Sequence, residues 1–510
     1  MQGQVRGVDR TGIAVGLLLA LAAGCGGPDA PERARNAILL IGDGFGMNHL
    51  TLGMTYATEV EGRPLRMVEL ADAGAAGYAV PLAYDRIVTD SAASATQMAT
   101  GKRVLAGTLS VAPETGEPIP TILEWAEERG LATGLVANMA LTHATPAAFK
   151  VHARSRYAPE GELANQLFDP PEVEVLLGGG GRAMTPAGSR VRERLPGLPE
   201  GTDGPSNRDD DRDLLAEAEA RGYILVANRT ELQAACGAER LLGVFAASHL
   251  PYVLDRSWEG LDEAVPTLAE LTEAALASLE PQGEGFLLVV EGGRIDYAGH
   301  DNDAGAMLAE ILDFDAAVGT AFDFARNRDD TLVLVTADHG TGGFSFTYGP
   351  DGPGPLPEAV GWDYTGTGPE MAGRRHLELL ASQRRSLIET MADIEQPTSG
   401  SVLIPLIDEA TGIRLTEEEA ADLAGQLNQE RPRPRDFARY YLDAVSVPVA
   451  LAARQLANHT QVVWSTGGHT SEPVPLFGFG PGAEGVLGIG VTTRIHDILR
   501  AALEGSPAGP

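Results

Sequence analysis

The sequence predicts an α/β protein: a mainly parallel central sheet with helices on both faces. Three observations predict it. Apolar runs of strand length recur at 36–41, 131–140, 172–177, 286–290 and 331–336. Helix signals lie between them, notably Thr121 with Glu124 and Thr267 with Glu270. In each pair the side chains satisfy one another's backbone N–H groups at a helix start. Polar residues gather just after the strand ends rather than inside the strands. Near-continuous apolar strands alternating with helices belong to a parallel sheet covered on both faces.

The 510 residues suffice for one large α/β domain with insertions. Arg6 and Arg10 precede an apolar run at 13–23, followed by Gly24-Cys25-Gly26. That reads as an export signal over 1–24, too short for an ordinary membrane span. The order Leu21-Ala22-Ala23-Gly24-Cys25 looks like a bacterial lipoprotein box, with Ala22 where Leu is commoner. Lipidation of Cys25 and plain cleavage nearby both stay open. Either way the protein is expected to be exported, periplasmic or at the cell surface, and membrane-anchored in the first case. Residues 25–35 read as a tether and 36–510 as the main domain. Cys236, the only other cysteine, lies in an Ala-rich stretch and is expected as a small buried hydrophobe.

The first strand runs into Gly42-Asp43-Gly44, which puts a carboxylate at the carboxyl edge of the sheet, where open α/β proteins bind ligands. Val88-Thr89-Asp90-Ser91-Ala92-Ala93-Ser94-Ala95-Thr96 then sets a hydroxyl beside an acid at a helix start. Unpaired N–H groups and the helix dipole there suit an anion, although Asp-Ser is also an ordinary cap. The second strand leads to His143 and Thr145. The glycines at 178–181 lack the Lys and Ser/Thr of a phosphate loop and read as a turn. Strand 286–290 leads into Glu291, Asp296 and His300. Met307, Ile311, Phe314, Val318 and Phe322 recur at helical spacing as a core face. Strand 331–336 ends in Ala337-Asp338-His339-Gly340. Residues 345–460 are dense in Gly and Pro, then helical and charged, and read as an insertion, crown-like or lid-like. The chain returns through Thr466-Gly467-Gly468-His469-Thr470, a strand at 475–479 and a closing helix at 492–503.

The formal net charge is −33. Such acidity argues against a nucleic-acid partner, which needs basic patches. It would also repel an anionic substrate unless several of the acids hold cations. Asp43, Glu291, Asp296, His300, Asp338, His339 and His469 all fall at strand ends or in comparable loops. Asp296 and His300 share one face of a helical turn, and Gly340 permits the bend that Asp338 and His339 need to act together. Mixed carboxylate and imidazole ligands suit Zn²⁺, and a carboxylate–hydroxyl–water set suits Mg²⁺. Each residue also has a plain reading as a turn residue, surface pair or loop histidine. His49, His152, His249, His376, His459 and His496 have no comparable context and are expected at surface or supporting positions.

From Gly42 to about Leu503 the chain resembles the alkaline phosphatase family. The most specific match is Asp90-Ser91-Ala92-Ala93-Ser94-Ala95. Gly42-Asp43-Gly44, Thr145-Pro146 with Arg156, Glu291-Gly292 with Asp296 and His300, Thr336 to Gly340, and Thr466 to His469 follow in the family's order. The resemblance implies hydrolysis of phosphate monoesters through a phosphoserine on Ser91. It implies one Zn²⁺ on Asp296, His300 and His469, and a second on Asp43, Asp338 and His339. It further implies one Mg²⁺ shared by Asp43, Thr145 and Glu291, with His143 close by, and a phosphate grip by Arg156. A homodimer is expected on the same ground. Another two-metal hydrolase of the superfamily, acting on diesters or phosphonates, is the nearest alternative; a non-catalytic metal or phosphate binder is a more distant one. No Cys-x-Pro-x-Arg sulfatase motif occurs.

Two positions depart from familiar members. His143 stands where some members have Asp, and Tyr297 where others have Lys or His. A phenol can donate a hydrogen bond but supplies no cation. Tyr297→Lys is therefore expected to alter inhibition by inorganic phosphate, read from the inhibition constant at fixed pH.

Overall fold

The computed structural model describes residues 33–170, 172–349, 370–432 and 446–505. The export segment, most of the tether with Cys25, and the Gly/Pro-dense part of the insertion lie outside the described residues. Among the described residues no helix is long and apolar enough to cross a membrane.

Ten strands form one sheet. Their spatial order is Gly488–Val491, Ala75–Val80, Val474–Phe479, Thr331–Ala337, Asn36–Gly42, Phe286–Gly292, Ala132–Ala140, Val175–Gly179, Leu241–Val244 and Ile224–Val226. Every neighbouring pair is parallel except those made by Val474–Phe479, which runs against both its partners. The expected mainly parallel α/β architecture is present.

Side-chain alternation explains why the central strands read as unbroken apolar runs. Ile38, Leu40, Leu288, Val290, Val333 and Val335 enter one core. Leu39, Ile41, Leu287, Val289, Leu332 and Leu334 enter the core on the opposite face. A strand buried on both sides has no polar face to show. Both capping boxes form: Thr121 starts the helix Ile122–Glu127 and Thr267 starts Leu268–Leu279, each with its glutamate reciprocating. The helix Ala304–Ala325 buries Met307, Ile311, Phe314, Val318 and Phe322 as its spacing predicts.

Two readings need correction. The first two glycines of the 178–181 run continue the strand Val175–Gly179 instead of turning. A side chain at Gly179 would strike the Ser248 carbonyl, so absence of Cβ lets that chain lie close. The turn begins only at Gly180, whose φ is +97°. Cys236 is exposed. The preceding helix stops at Ala234, leaving the cysteine in a surface turn.

Between the paired strands Phe344–Phe346 and Val462–Trp464 the described residues form helices around their own apolar cluster, which includes Leu387, Leu403, Leu423 and Leu451. Two buried carboxylates tie this cluster to the main body. Asp303 accepts from the Leu387 N–H at 2.6 Å, and Asp255 from the Ser386 N–H at 2.8 Å.

Glu310, buried on the helix Ala304–Ala325, accepts from the Val253 N–H at 2.7 Å. Burial and the charge of Asp313 push its carboxyl up to about 8. A carboxyl raised in the folded state stabilises below the unfolded value and loses that contribution as pH rises through the folded one. Glu310→Gln is thus expected to raise the melting temperature at pH 9 and change it by no more than about 1 °C at pH 5, as followed by calorimetry.

Candidate active site

Strand register builds the site. Gly42 stands level with Gly292 on one neighbour and Ala337 on the other. The residues just past these ends, Asp43 and Asp338, therefore emerge over one edge of the sheet, with Glu291 one residue back. All three are buried. Gly44, at φ +74°, lets the chain turn directly against Asp296; a Cβ there would lie 2.7 Å from the Asp296 Cα. The Gly44 N–H donates to Asp338 Oδ1 at 3.0 Å and orients that carboxylate.

Ser91 is the first residue of the helix Ser91–Thr100, capped by Asp90, whose side chain accepts from the Ala93 N–H. All ten residues of this helix are buried, which its small side chains allow. Ser94 Oγ donates to the Asp338 carbonyl at 2.7 Å and pins the helix to the sheet edge. Ser91 Oγ consequently sits 3.3 Å from His339 Nε2. Asp90 Oδ2 lies 3.3 Å from an Arg156 nitrogen, so the capping acid also places the guanidinium.

Three donor groups surround the serine. In the first, His339 Nε2 lies 3.2 Å from Asp338 Oδ2 and 3.6 Å from Asp43 Oδ1. In the second, His300 Nε2 is 3.3 Å from Asp296 Oδ2 and 3.1 Å from His469 Nε2, while His469 Nε2 is 3.7 Å from Asp296 Oδ1. Asp296 and His300 indeed share one face of the helix Arg294–Asp301. The pairing of His469–Thr470 with Gly340–Thr341 brings the last histidine back to the others. In the third, Asp43 Oδ2 lies 3.3 Å from Thr145 Oγ1, and His143 Nδ1 lies 3.4 Å from Glu291 Oε1. His143 Nε2 also faces Arg156 at 3.2 Å, so this ring links Glu291 to the guanidinium. The structure thus gathers every residue the sequence singled out.

The groups are less separate than the sequence implies. The His339 and His469 rings stack with centroids 3.7 Å apart, and His339 also stands within ligating reach of Asp296 and His469. Backbone carbonyls hold two of the rings by Nδ1: Gly467 O on His300 at 2.6 Å and Thr89 O on His469 at 3.0 Å. That fixes the tautomer and turns each Nε2 inward, as metal-binding imidazoles require.

The donor set fits cations. Asp43 Oδ1, Asp338 Oδ2 and Glu291 Oε2 are buried with no hydrogen-bond partner among the described residues. Burial, then the neighbouring acids Asp338, Asp296 and Glu291, hold the Asp43 carboxyl well above its usual range. Burial and Asp296 push Asp338 up to about 7. Burial works the same way on Asp296, but His300, His469 and His339 outweigh it and hold its carboxyl well below the usual range. Acids packed this tightly call for positive charge between them.

Sequence reasoning missed Thr341. Its hydroxyl donates to Asp296 and lies 3.3 Å from His339 Nδ1, joining two donor groups. Its position two residues past His339 was the available signal. The double role of Asp90, as cap and as anchor of Arg156, was also hidden.

Without cations these acids repel one another, and a raised carboxyl costs stability as pH rises toward and past about 7. Exhaustive chelation is expected to lower the melting temperature, more at pH 8 than at pH 5, with recovery on adding divalent cations back. Asp338→Asn is expected to raise the melting temperature of the chelated protein at pH 8 and to lower that of the metal-supplied protein.

A model of the alkaline phosphatase family matches residues 34–505. Alkaline phosphatase 3 of Bacillus subtilis is 32% identical over 495 residues, covering 93% of this chain and 90% of that protein. The alkaline phosphatase of Escherichia coli is 34% identical over 60% of this chain and 70% of its own. Among solved structures, Thermus thermophilus alkaline phosphatase superposes with a TM-score of 0.78 at 30% identity, covering 94% of each chain. The enzyme of a psychrophilic Shewanella gives 0.69 at 25% identity over 92% of this chain and 99% of that one. Likeness of this extent, together with donor groups gathered beside a buried serine, leaves one conclusion: the chain belongs to the alkaline phosphatase family and hydrolyses phosphate monoesters with divalent metal cofactors.

Proposed function

We propose that Ser91 is the nucleophile and that hydrolysis runs through a phosphoserine. The carrying observation is the Ser91 oxygen, set beside His339, which itself lies against Asp43 and Asp338, each with a buried oxygen that has no hydrogen-bond partner among the described residues. Asp296, His300 and His469 would hold one Zn²⁺, and Asp43, Asp338 and His339 a second. Asp43, Thr145 and Glu291 would hold Mg²⁺, with His143 alongside. Bound there, divalent ions lower the pKa of a nearby hydroxyl and offset charge that develops in phosphoryl transfer.

The chain's own residues do the rest. Arg156, steadied by Asp90 and His143, presents a planar fork to two phosphoryl oxygens. Ser91 Oγ bonds to phosphorus as the bond to the leaving oxygen breaks, and the alcohol departs with the serine's proton. Water then attacks phosphorus, restores the serine hydroxyl and releases inorganic phosphate. The helix dipole at Ser91 favours the anion in both halves. Since these contacts grip only the phosphoryl group, broad specificity among small-molecule monoesters follows.

The apolar run at 13–23 and Cys25 support export, with a lipid anchor as the reading of the Leu21 to Cys25 box. Residues 36–510 form the catalytic domain in this reading, the helices within 345–460 being its insertion, and a homodimer follows from the family alone.

Turnover of a monoester, a diester and a sulfate ester, with metal analysis before and after chelation, tests the reading. The monoester is expected to be cleaved far faster than the others, and chelation to abolish turnover. Ser91→Ala is expected to keep its metal and lose about three orders of magnitude or more in kcat. Retained turnover in Ser91→Ala, or a preference for the diester, would overturn it.

A further inference from the structure

Tyr297 follows Asp296 on the helix Arg294–Asp301, and the charges of Arg156 and Asp43 both act on its phenol. Its ring packs against His143, centroids 6.0 Å apart, and against His249 at 5.1 Å. His143 is the ring that touches Arg156, so the phenol and the guanidinium flank one imidazole. Tyr297 Oη lies 3.1 Å from His249 Nε2. No other partner of this oxygen occurs among the described residues.

The direction of that bond can be deduced. The backbone N–H of Ala140 donates to His249 Nδ1 at 3.0 Å. A ring nitrogen that accepts from an amide carries no proton, so the hydrogen of this imidazole resides on Nε2. Nε2–H therefore donates and Tyr297 Oη accepts. The phenol's own hydrogen must point elsewhere.

Resting on the phosphatase reading above, we propose that His249 is a positioning residue. It fixes the hydroxyl of Tyr297 so that the phenol donates a hydrogen bond to a phosphoryl oxygen gripped by Arg156. The strand end at Ala140 thereby sets, through two hydrogen bonds, how the site recognises phosphate. A histidine without this contact would let the phenol rotate and donate backward into the protein.

The test is a double-mutant cycle in the metal-supplied enzyme, read as the inhibition constant of inorganic phosphate. His249→Phe and Tyr297→Phe are each expected to weaken inhibition about tenfold, and the double variant to be no weaker than either single one. His249→Gln, which still offers an N–H to the phenol, is expected to stay within about threefold of the parent. Should His249→Phe fail to fold, His249→Asn, too short to reach the phenol, takes its place. Independently of turnover, ¹⁵N spectra of the histidine-labelled parent are expected to show His249 protonated on Nε2. An effect of His249→Phe that persists undiminished in the Tyr297→Phe background, or a proton on Nδ1, would overturn the proposal. A parent enzyme that is inert toward monoesters would instead remove the phosphatase reading.

Discussion

Everything in this molecule answers to the crowding of negative charge over one sheet edge. Asp43, Glu291, Asp296 and Asp338 are buried together. No fold would hold such a group for stability, because unpaired buried carboxylates are among the costliest things a core can contain. The arrangement persists because level strand ends place the acids there and hydrophobic packing on both sheet faces holds the strands level. Stability is drawn from the two cores and concentrated as strain at their rim, where cations relieve it.

Support for the site is graded in stiffness. Asp43 and Asp338 come straight off central strands, and Asp296 and His300 ride a helix that begins beside another. His469 comes from far along the chain, and it is pinned by the short pairing with Gly340–Thr341 and by the Thr89 carbonyl. Carbonyls that set tautomers, and a threonine shared between donor groups, do the fine adjustment. This is how a cluster collected from distant parts of a sequence reaches geometry that tolerates little error.

The central strands were legible because burial on both faces removes any polar alternation, and the helices because Thr121 and Thr267 carry their glutamates at the right spacing. The strands at Ala75–Val80, Ile224–Val226, Leu241–Val244 and Gly488–Val491 left little trace. They are short, rich in Ala or Gly, or at the sheet's edge, where periodicity is weak. For the site, residue types at strand ends were enough to nominate the donors. What a linear reading could not supply was contact between distant segments: Asp90 reaching Arg156, Thr341 joining Asp296 to His339, and His249, whose neighbours in sequence give no hint of Tyr297. Cys236 shows the converse, since an apolar composition was taken for burial where the helix had already ended.

The last donor, His469, lies beyond the helices that separate it from His339. A chain growing from its N-terminus therefore exposes Asp43, Asp338 and His339 long before His469 can join them. Ion capture at full affinity is deferred until almost the whole polypeptide has emerged.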